Sequence, residues 1–243
     1  MSVKIAGVDG CRAGWKCVIR EVEAPFRETA FIANGISEVL HHPDEPAIIA
    51  IDMPIGLADW ISGAGRECDI AARRPLGMRA SAVFAVPARP AIFESGYLAA
   101  CAKAKGLSDP PRAMSRQMFN LFPKIIEIDS AMTPALQKRV FECHPEVAFW
   151  AMNWQQCLSE PKKLRGRKHP PGLQQRRSLL ISHGFSATFL DETKFPNVQA
   201  GADDLLDACA CSWTAARIYK GAAITFPEQA DRDTKGLVMQ IFA

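Results

Sequence analysis

The chain has no C-x-x-C pair among its eight cysteines, no internal repeat and no low-complexity tract. It also has no apolar run near the length of a membrane span. Each absence excludes a class. Without paired cysteine spacing, neither a zinc site nor a disulfide framework is expected. Most of the thiols sit in apolar stretches, such as Cys209 and Cys211 in A-C-A-C-S-W, and read as reduced thiols of a cytoplasmic protein. A spanning helix needs roughly 20 consecutive apolar residues, so no membrane segment is expected. The opening M-S-V-K-I-A-G-V-D-G lacks a basic stretch followed by an apolar core, so no signal peptide is expected either.

What is present is ordinary for a water-soluble globular protein: 243 residues, 48% hydrophobic and 23% charged. A chain of this size buries a sufficient core without covalent staples. The net charge of +3 hides a segregation. Residues 1–60 carry 5 Lys/Arg against 9 Asp/Glu, residues 61–180 carry 19 against 9, and residues 181–243 carry 5 against 8. Acidic ends around a basic middle suggest carboxylates held by a scaffold and cations supplied by an insertion. That is a field suited to drawing a polyanion toward a metal, although solvated Lys/Arg-rich helices would look the same.

Residues 3–9 predict a strand ending in Asp9, followed by a glycine-containing turn. W-K-C-V-I-R and residues 27–33 predict two further strands of an antiparallel meander. Residues 35–42 suit a short helix. A-I-I-A-I-D (47–52) is a continuous apolar run, expected of a strand buried on both faces, and it too ends in an acid, Asp52. Between 60 and 135 helical spacing takes over, as in Met114, Met118, Phe122, Ile125 and Ile126, with Pro123 expected to kink or divide that helix. Residues 139–144 read as a strand, with a helix from Pro145. Residues 161–171 form a Pro/Gly-bounded basic loop, followed by a helix over 172–183. D-D-L-L-D-A-C-A-C-S-W-T-A-A-R-I-Y (203–219) is the clearest helix, and two short β-like pieces close the chain. The expectation is one α/β domain over 1–243, with a helical basic insertion at about 60–135.

Asp9 and Asp52 both end strands, and ligands of an α/β sheet gather where strands end. Glycines flank Asp9 and permit close backbone approach, while Pro54 and Gly56 stop the strand after Asp52. A carboxylate beside an apolar run is costly unless a charge compensates it, and Mg²⁺ or Mn²⁺ would do so. On the late helix Asp204 and Asp207 lie three apart, and Asp203 and Asp207 four apart, so either pair shares a face. Asp203 is expected as the N-cap. Asp207 lies beyond the first turn among Leu205, Leu206, Ala208 and Cys209, where the helix dipole explains it least. Asp9, Asp52, Asp204 and Asp207 are therefore the expected metal ligands, with Asp207 preferred on its helix.

Other constellations are weaker. Glu142 and His144 share a strand face by the period of two, and His144 would orient water near a metal or be tied to a carboxylate for structure. Arg12, Arg66, Arg79 and the run through Arg89 suit bidentate phosphate contacts or surface ion pairs. Lys124, Glu127 and Asp129 read as a solvated helix face. Lys162, Lys163, Arg165, Arg167 and Lys168 would grip a nucleic-acid backbone or simply be solvated, and the lack of aromatics there argues against base stacking.

Taken together and in order, G-V-D-G-C-R-A-G-W, A-I-D-M-P-I-G, R-E-C-D-I-A-A-R, F-E-C-H-P-E-V-A-F and D-D-L-L-D-A resemble one family. It is the family of predicted nucleases with a ribonuclease-H-like fold, domain-of-unknown-function family 429, and the resemblance spans nearly the whole chain. It implies a mixed sheet of three antiparallel strands and then parallel ones, with acids on the first strand, the fourth strand and a late helix. Those positions fall on Asp9, Asp52 and the Asp203, Asp204 and Asp207 cluster. Asp52 stands where many nucleases of this fold carry the longer Glu. The expected function is Mg²⁺- or Mn²⁺-dependent hydrolysis of nucleic-acid phosphodiesters. The acids, with Glu142 and His144, would be catalytic, and Arg12, Arg66, Arg79, Lys124, Lys162 and Lys163 would hold the backbone. The alternatives are a non-catalytic metal- or ligand-binding scaffold and an ATP-dependent phosphotransferase of the actin and sugar-kinase topology. The latter share the Asp-and-glycine first loop but duplicate the fold.

Overall fold

A computed structural model describes residues 2–164, 166–196 and 198–243; Arg165 of the basic loop lies outside the described residues. The chain opens with β1 (Lys4–Cys11), β2 (Gly14–Glu21), β3 (Glu28–Ala33), α1 (Ile36–Leu40) and β4 (Ile48–Asp52). There follow β5 (Ile61–Ser62), α2 (Glu67–Arg73), a 3₁₀ stretch (Arg74–Ala82), α3 (Arg89–Ile92), α4 (Tyr97–Gly106), β6 (Ser108–Asp109) and α5 (Arg116–Ala131). Next come β7 (Val140–Cys143), α6 (Pro145–Met152), β8 (Lys163–Leu164), β9 (Arg167–Lys168), α7 (Pro170–Ser182), α8 (Ala187–Glu192) and α9 (Ala202–Tyr219). The chain closes with β10 (Thr225–Phe226) and β11 (Ile241–Phe242). No helix of the described residues is long and apolar enough to cross a membrane.

Contacts divide the chain into two compact units. The first comprises Met1–Asp52, Arg139–Ile224 and Phe242–Ala243; the second comprises Met53–Lys138 and Thr225–Ile241. The insertion expected at about 60–135 falls within the second.

The first unit is an α/β structure on a mixed sheet. Its strands run in the order β7-β4-β1-β2-β3; β1, β2 and β3 pair antiparallel, whereas β4 runs parallel to both β1 and β7. The two-residue turn at Arg12 and Ala13 sets the register of β1 and β2, so Asp9 faces Lys16. In β4 the register puts Asp52 beside Asp9. α9 packs on this sheet and is buried on most sides, from Leu205 to Ala215, as expected of an interior helix. Its leucines join Phe149, Met152, Leu180 and Phe185, each such side chain contributing about 2 kcal/mol by burial. Gly7 fixes how close α9 comes: a Cβ there would lie 2.0 Å from the Ser212 nitrogen and 2.1 Å from the Ala208 oxygen. Only glycine admits that approach.

The second unit is mostly helical and is tied by buried ion pairs. The Arg89 guanidinium donates to Asp129 at 2.6 Å and also pairs with Asp233, while Lys235 donates to Asp129 at 2.7 Å. Two sequence expectations are corrected here. Asp129 is not on a solvated face, because these cations draw it inward until it is almost fully buried. Nor does Pro123 divide its helix: α5 runs unbroken through it, held by the buried face of Met118, Phe122, Ile125 and Ile128.

Candidate functional site

The site is built on the first unit, where two strands and one helix deliver acids to one place. β1 runs two residues past Asp9, whereas Asp52 is the last residue of β4; the two are in-register neighbours on parallel strands, so both side chains leave the same face of the sheet. Gly7, two residues before Asp9, is on that face too, and α9 presses against it. The beginning of α9 thereby comes to Asp9 and Asp52.

Local chemistry sets where α9 begins. Its N-cap is Gly201, not Asp203, and Asp204 supplies the cap by accepting the Gly201 N–H at 2.6 Å. The helix starts earlier than expected because Asp203 is occupied elsewhere. Lys163 and Lys168, directly opposed in the β8–β9 hairpin, approach its two carboxylate oxygens at 3.1 and 3.0 Å. A Cβ on Gly201 would meet Asp203 at 2.4 Å and Lys168 at 3.0 Å, so glycine leaves room for this arrangement. One turn on, Asp207 is buried and accepts a hydrogen bond from Lys162. The basic loop is therefore neither simply solvated nor wholly free for a partner, since Lys162, Lys163 and Lys168 bond the first turns of α9.

The electrostatics follow from this crowding. Burial raises the Asp9 carboxyl well above the ordinary carboxylate range; Asp52, Asp207 and Asp204 raise it further, against the pull of Lys162. Asp52 is raised by burial and by Asp207, while His144, Lys162 and a hydrogen bond with Asp9 act in the opposite direction. Burial also raises Asp204, offset in part by the Gly201 N–H. Asp203 goes the other way: burial would raise it, but Lys168, Lys163 and Lys162 outweigh that and bring it down to about 2. Lys162 is held protonated more firmly than usual, because Asp207 and Asp9 outweigh its own burial.

Asp9, Asp52 and Asp207 supply only hard oxygen donors. That donor set fits Mg²⁺ or Mn²⁺.

The remaining predicted residues are placed as follows. His144 acts on Asp52 and also caps α6, its Nδ1 accepting the Glu146 N–H at 3.2 Å. β7 stops at Cys143, and His144, whose backbone is still extended, is the N-cap of α6. Glu142 is buried in register with Ile51, which places it on the face opposite Asp52 and apart from the acids. Arg12 is exposed in the β1–β2 turn. Arg66, Arg79 and Lys124 belong to the second unit. Arg66 is buried there, donating to Asp69 at 2.7 Å and to the Gly56 carbonyl at 2.9 Å, which is the work of a structural ion pair.

Lys16 was not singled out by the sequence. It is fully buried, and burial lowers its ammonium to about 8 while Asp204 is among the groups resisting that shift. The signal was available in the hairpin: centring the turn on Arg12 and Ala13 pairs Lys16 with Asp9.

Neither a curated protein nor a solved structure matches the chain. A family model described as "Protein of unknown function (DUF429)" matches residues 7–232, which takes in Asp9, Asp52 and all three acids of α9. The chain belongs to this family of unknown function.

Proposed function

We propose that Asp9, Asp52 and Asp207 hold a divalent cation, Mg²⁺ or Mn²⁺, and that the protein hydrolyses phosphodiester bonds of nucleic acid on a ribonuclease-H-like arrangement of strands. The observation that carries this is the convergence of acids from β1, β4 and α9 under burial, crowded enough that Asp9 is pushed well above its ordinary range. Buried like charges are retained at a cost, and a cation removes that cost. When bound, the ion would neutralise the carboxylates and polarise a phosphoryl oxygen. Asp9, Asp52 and Asp207 would hold it, and Asp204 would fix the start of α9 beside them through Gly201. His144, next to Asp52, is placed to accept or hold a proton from water. Arg12 and Lys163 are the cationic side chains of this unit expected to meet the nucleic-acid backbone.

A second reading has its own observation. Lys162 already bonds Asp207, and on that view it is the resident cation of a non-catalytic scaffold. Calorimetric titration with Mn²⁺ separates the two, using the wild type, Asp9→Asn and Asp207→Asn. Binding by the wild type and by neither variant is expected, and it justifies assaying DNA and RNA, single- and double-stranded, for cleavage. A folded wild type that binds no Mn²⁺ sinks the metal reading and leaves the scaffold.

A further inference from the structure

Lys16 is a buried cation with no hydrogen-bonded counter-charge among the described residues. Its side chain is fully buried, and among the described residues its Nζ has no hydrogen-bond acceptor. An ammonium carries three donors and no acceptor, so this leaves its whole hydrogen-bonding capacity unused. A lysine kept only for packing would be replaced by an apolar side chain without penalty. Its position is specific. It lies directly across from Asp9 on the neighbouring antiparallel strand, so the two side chains share the face on which the acids gather. Its neighbours Trp15 and Cys17 point to the opposite face.

What covers Lys16 is an aromatic ring. The Phe195 ring stands over Nζ, 2.7 Å from ammonium to ring centre. Phe195 is only half-buried and belongs to the connection between α8 and α9. The same connection is anchored to the β1–β2 turn by the Ala13 N–H, which donates to the Gln199 carbonyl at 3.0 Å. A ring face weakly satisfies a cation and forms no hydrogen bond, so an oxyanion arriving at this point would be the stronger partner.

We propose that Lys16 is the anion-binding residue of the acid site, receiving a phosphoryl oxygen of the ligand, with Phe195 as its cover when no ligand is bound. This rests on the metal reading only for the ligand's class. A phosphoryl group needs cations on more than one side, and the acids with their ion would provide one and Lys16 another. The substrate so recognised is a phosphate ester or diester held through its non-bridging oxygens.

The test uses inorganic phosphate as the probe, titrated calorimetrically into the full chain with and without Mg²⁺. Wild type, Lys16→Met and Phe195→Ala are compared. The expected result is phosphate binding by the wild type, at least tenfold weaker in Lys16→Met, with Mg²⁺ binding alone retained. Phe195→Ala is expected to keep phosphate binding, because the ring is a cover and not a ligand. Equal phosphate affinity in the wild type and Lys16→Met overturns the proposal, as does a wild type that binds no phosphate in either condition. If Mg²⁺ does not bind but Lys16→Met still loses phosphate, the metal reading fails and the Lys16 site stands. Should Lys16→Met not fold, the Lys16 ammonium signal is followed by ¹H–¹⁵N NMR in the wild type. A shift on adding phosphate supports the proposal, and phosphate binding without one overturns it.

Discussion

Lys162 bonds Asp207 and is held charged by Asp207 and Asp9 together, against the effect of its own burial. Removing it leaves two buried acids without their internal cation, the costly half of breaking a buried pair. Lys162→Met is therefore expected to lower stability by about 1–3 kcal/mol. Mn²⁺ should restore most of that loss and bind more tightly than to the wild type, since a competing charge is gone; thermal melts with and without Mn²⁺ check both. Asp203 makes the opposite kind of contribution. Its folded value of about 2 lies below its ordinary value of 3.8, so its pairing with Lys163 and Lys168 is fully stabilising above the ordinary value. That stability is lost as pH falls from about 4 to about 2. Because both lysines are about half exposed, solvent screening reduces the contribution to on the order of 1 kcal/mol. Urea titrations at pH 5 and pH 3 should show a drop for the wild type that is smaller by about half this amount in Asp203→Asn, because pH 3 lies midway through that window.

At the scale of elements, the contact between β1 and α9 decides whether the acids meet. The atoms a Cβ on Gly7 would strike, Ser212 N and Ala208 O, are helix backbone, so no rotamer change relieves the clash and α9 must move. Gly7→Ala is expected to cost about 3 kcal/mol or more, above the usual range for overpacking. Metal binding should fall with it, even though no acid is touched; circular-dichroism melts and Mn²⁺ titration measure the two effects. Much of this element pattern was legible in the sequence. The apolar runs ending in Asp9 and Asp52, and the glycines beside Asp9, follow from strand chemistry that does not depend on distant partners. What was hidden depends on pairings far apart in sequence. The β8–β9 hairpin has strands of two residues, too short for any periodicity, so its grip on Asp203 and the resulting shift of the α9 cap to Gly201 left no local trace. Asp129 reads as a solvated helix acid until Arg89 and Lys235, 40 and 106 residues away, are seen to draw it inward.

For the molecule as a whole, the charge pattern changes meaning once the chain is folded. The basic middle, residues 61–180, is divided between the units. The first unit carries 16 Lys/Arg and 16 Asp/Glu, and the second carries 13 and 10, so the net excess of +3 belongs to the second. With the first unit neutral in sum, its acid site is not offset by a general positive field, and the local lysines and any bound cation must balance it. A cation that binds the folded site and not the unfolded chain shifts the folding equilibrium by mass action, by about 2.7 kcal/mol at a hundredfold excess over its dissociation constant. For a chain of this length each kcal/mol moves the melting temperature by roughly 2–4 °C, so saturating Mg²⁺ or Mn²⁺ should raise it by about 5–10 °C. Asp9→Asn should melt at or above the metal-free wild type, because it removes a buried acid crowded by Asp52 and Asp207, and should show none of the metal-dependent rise. Calorimetric scans of both proteins across a metal series test this directly. An equal rise in Asp9→Asn would mean that the ion binds away from β1, and the cluster of Asp9, Asp52 and Asp207 would then have only its internal lysine to neutralise it.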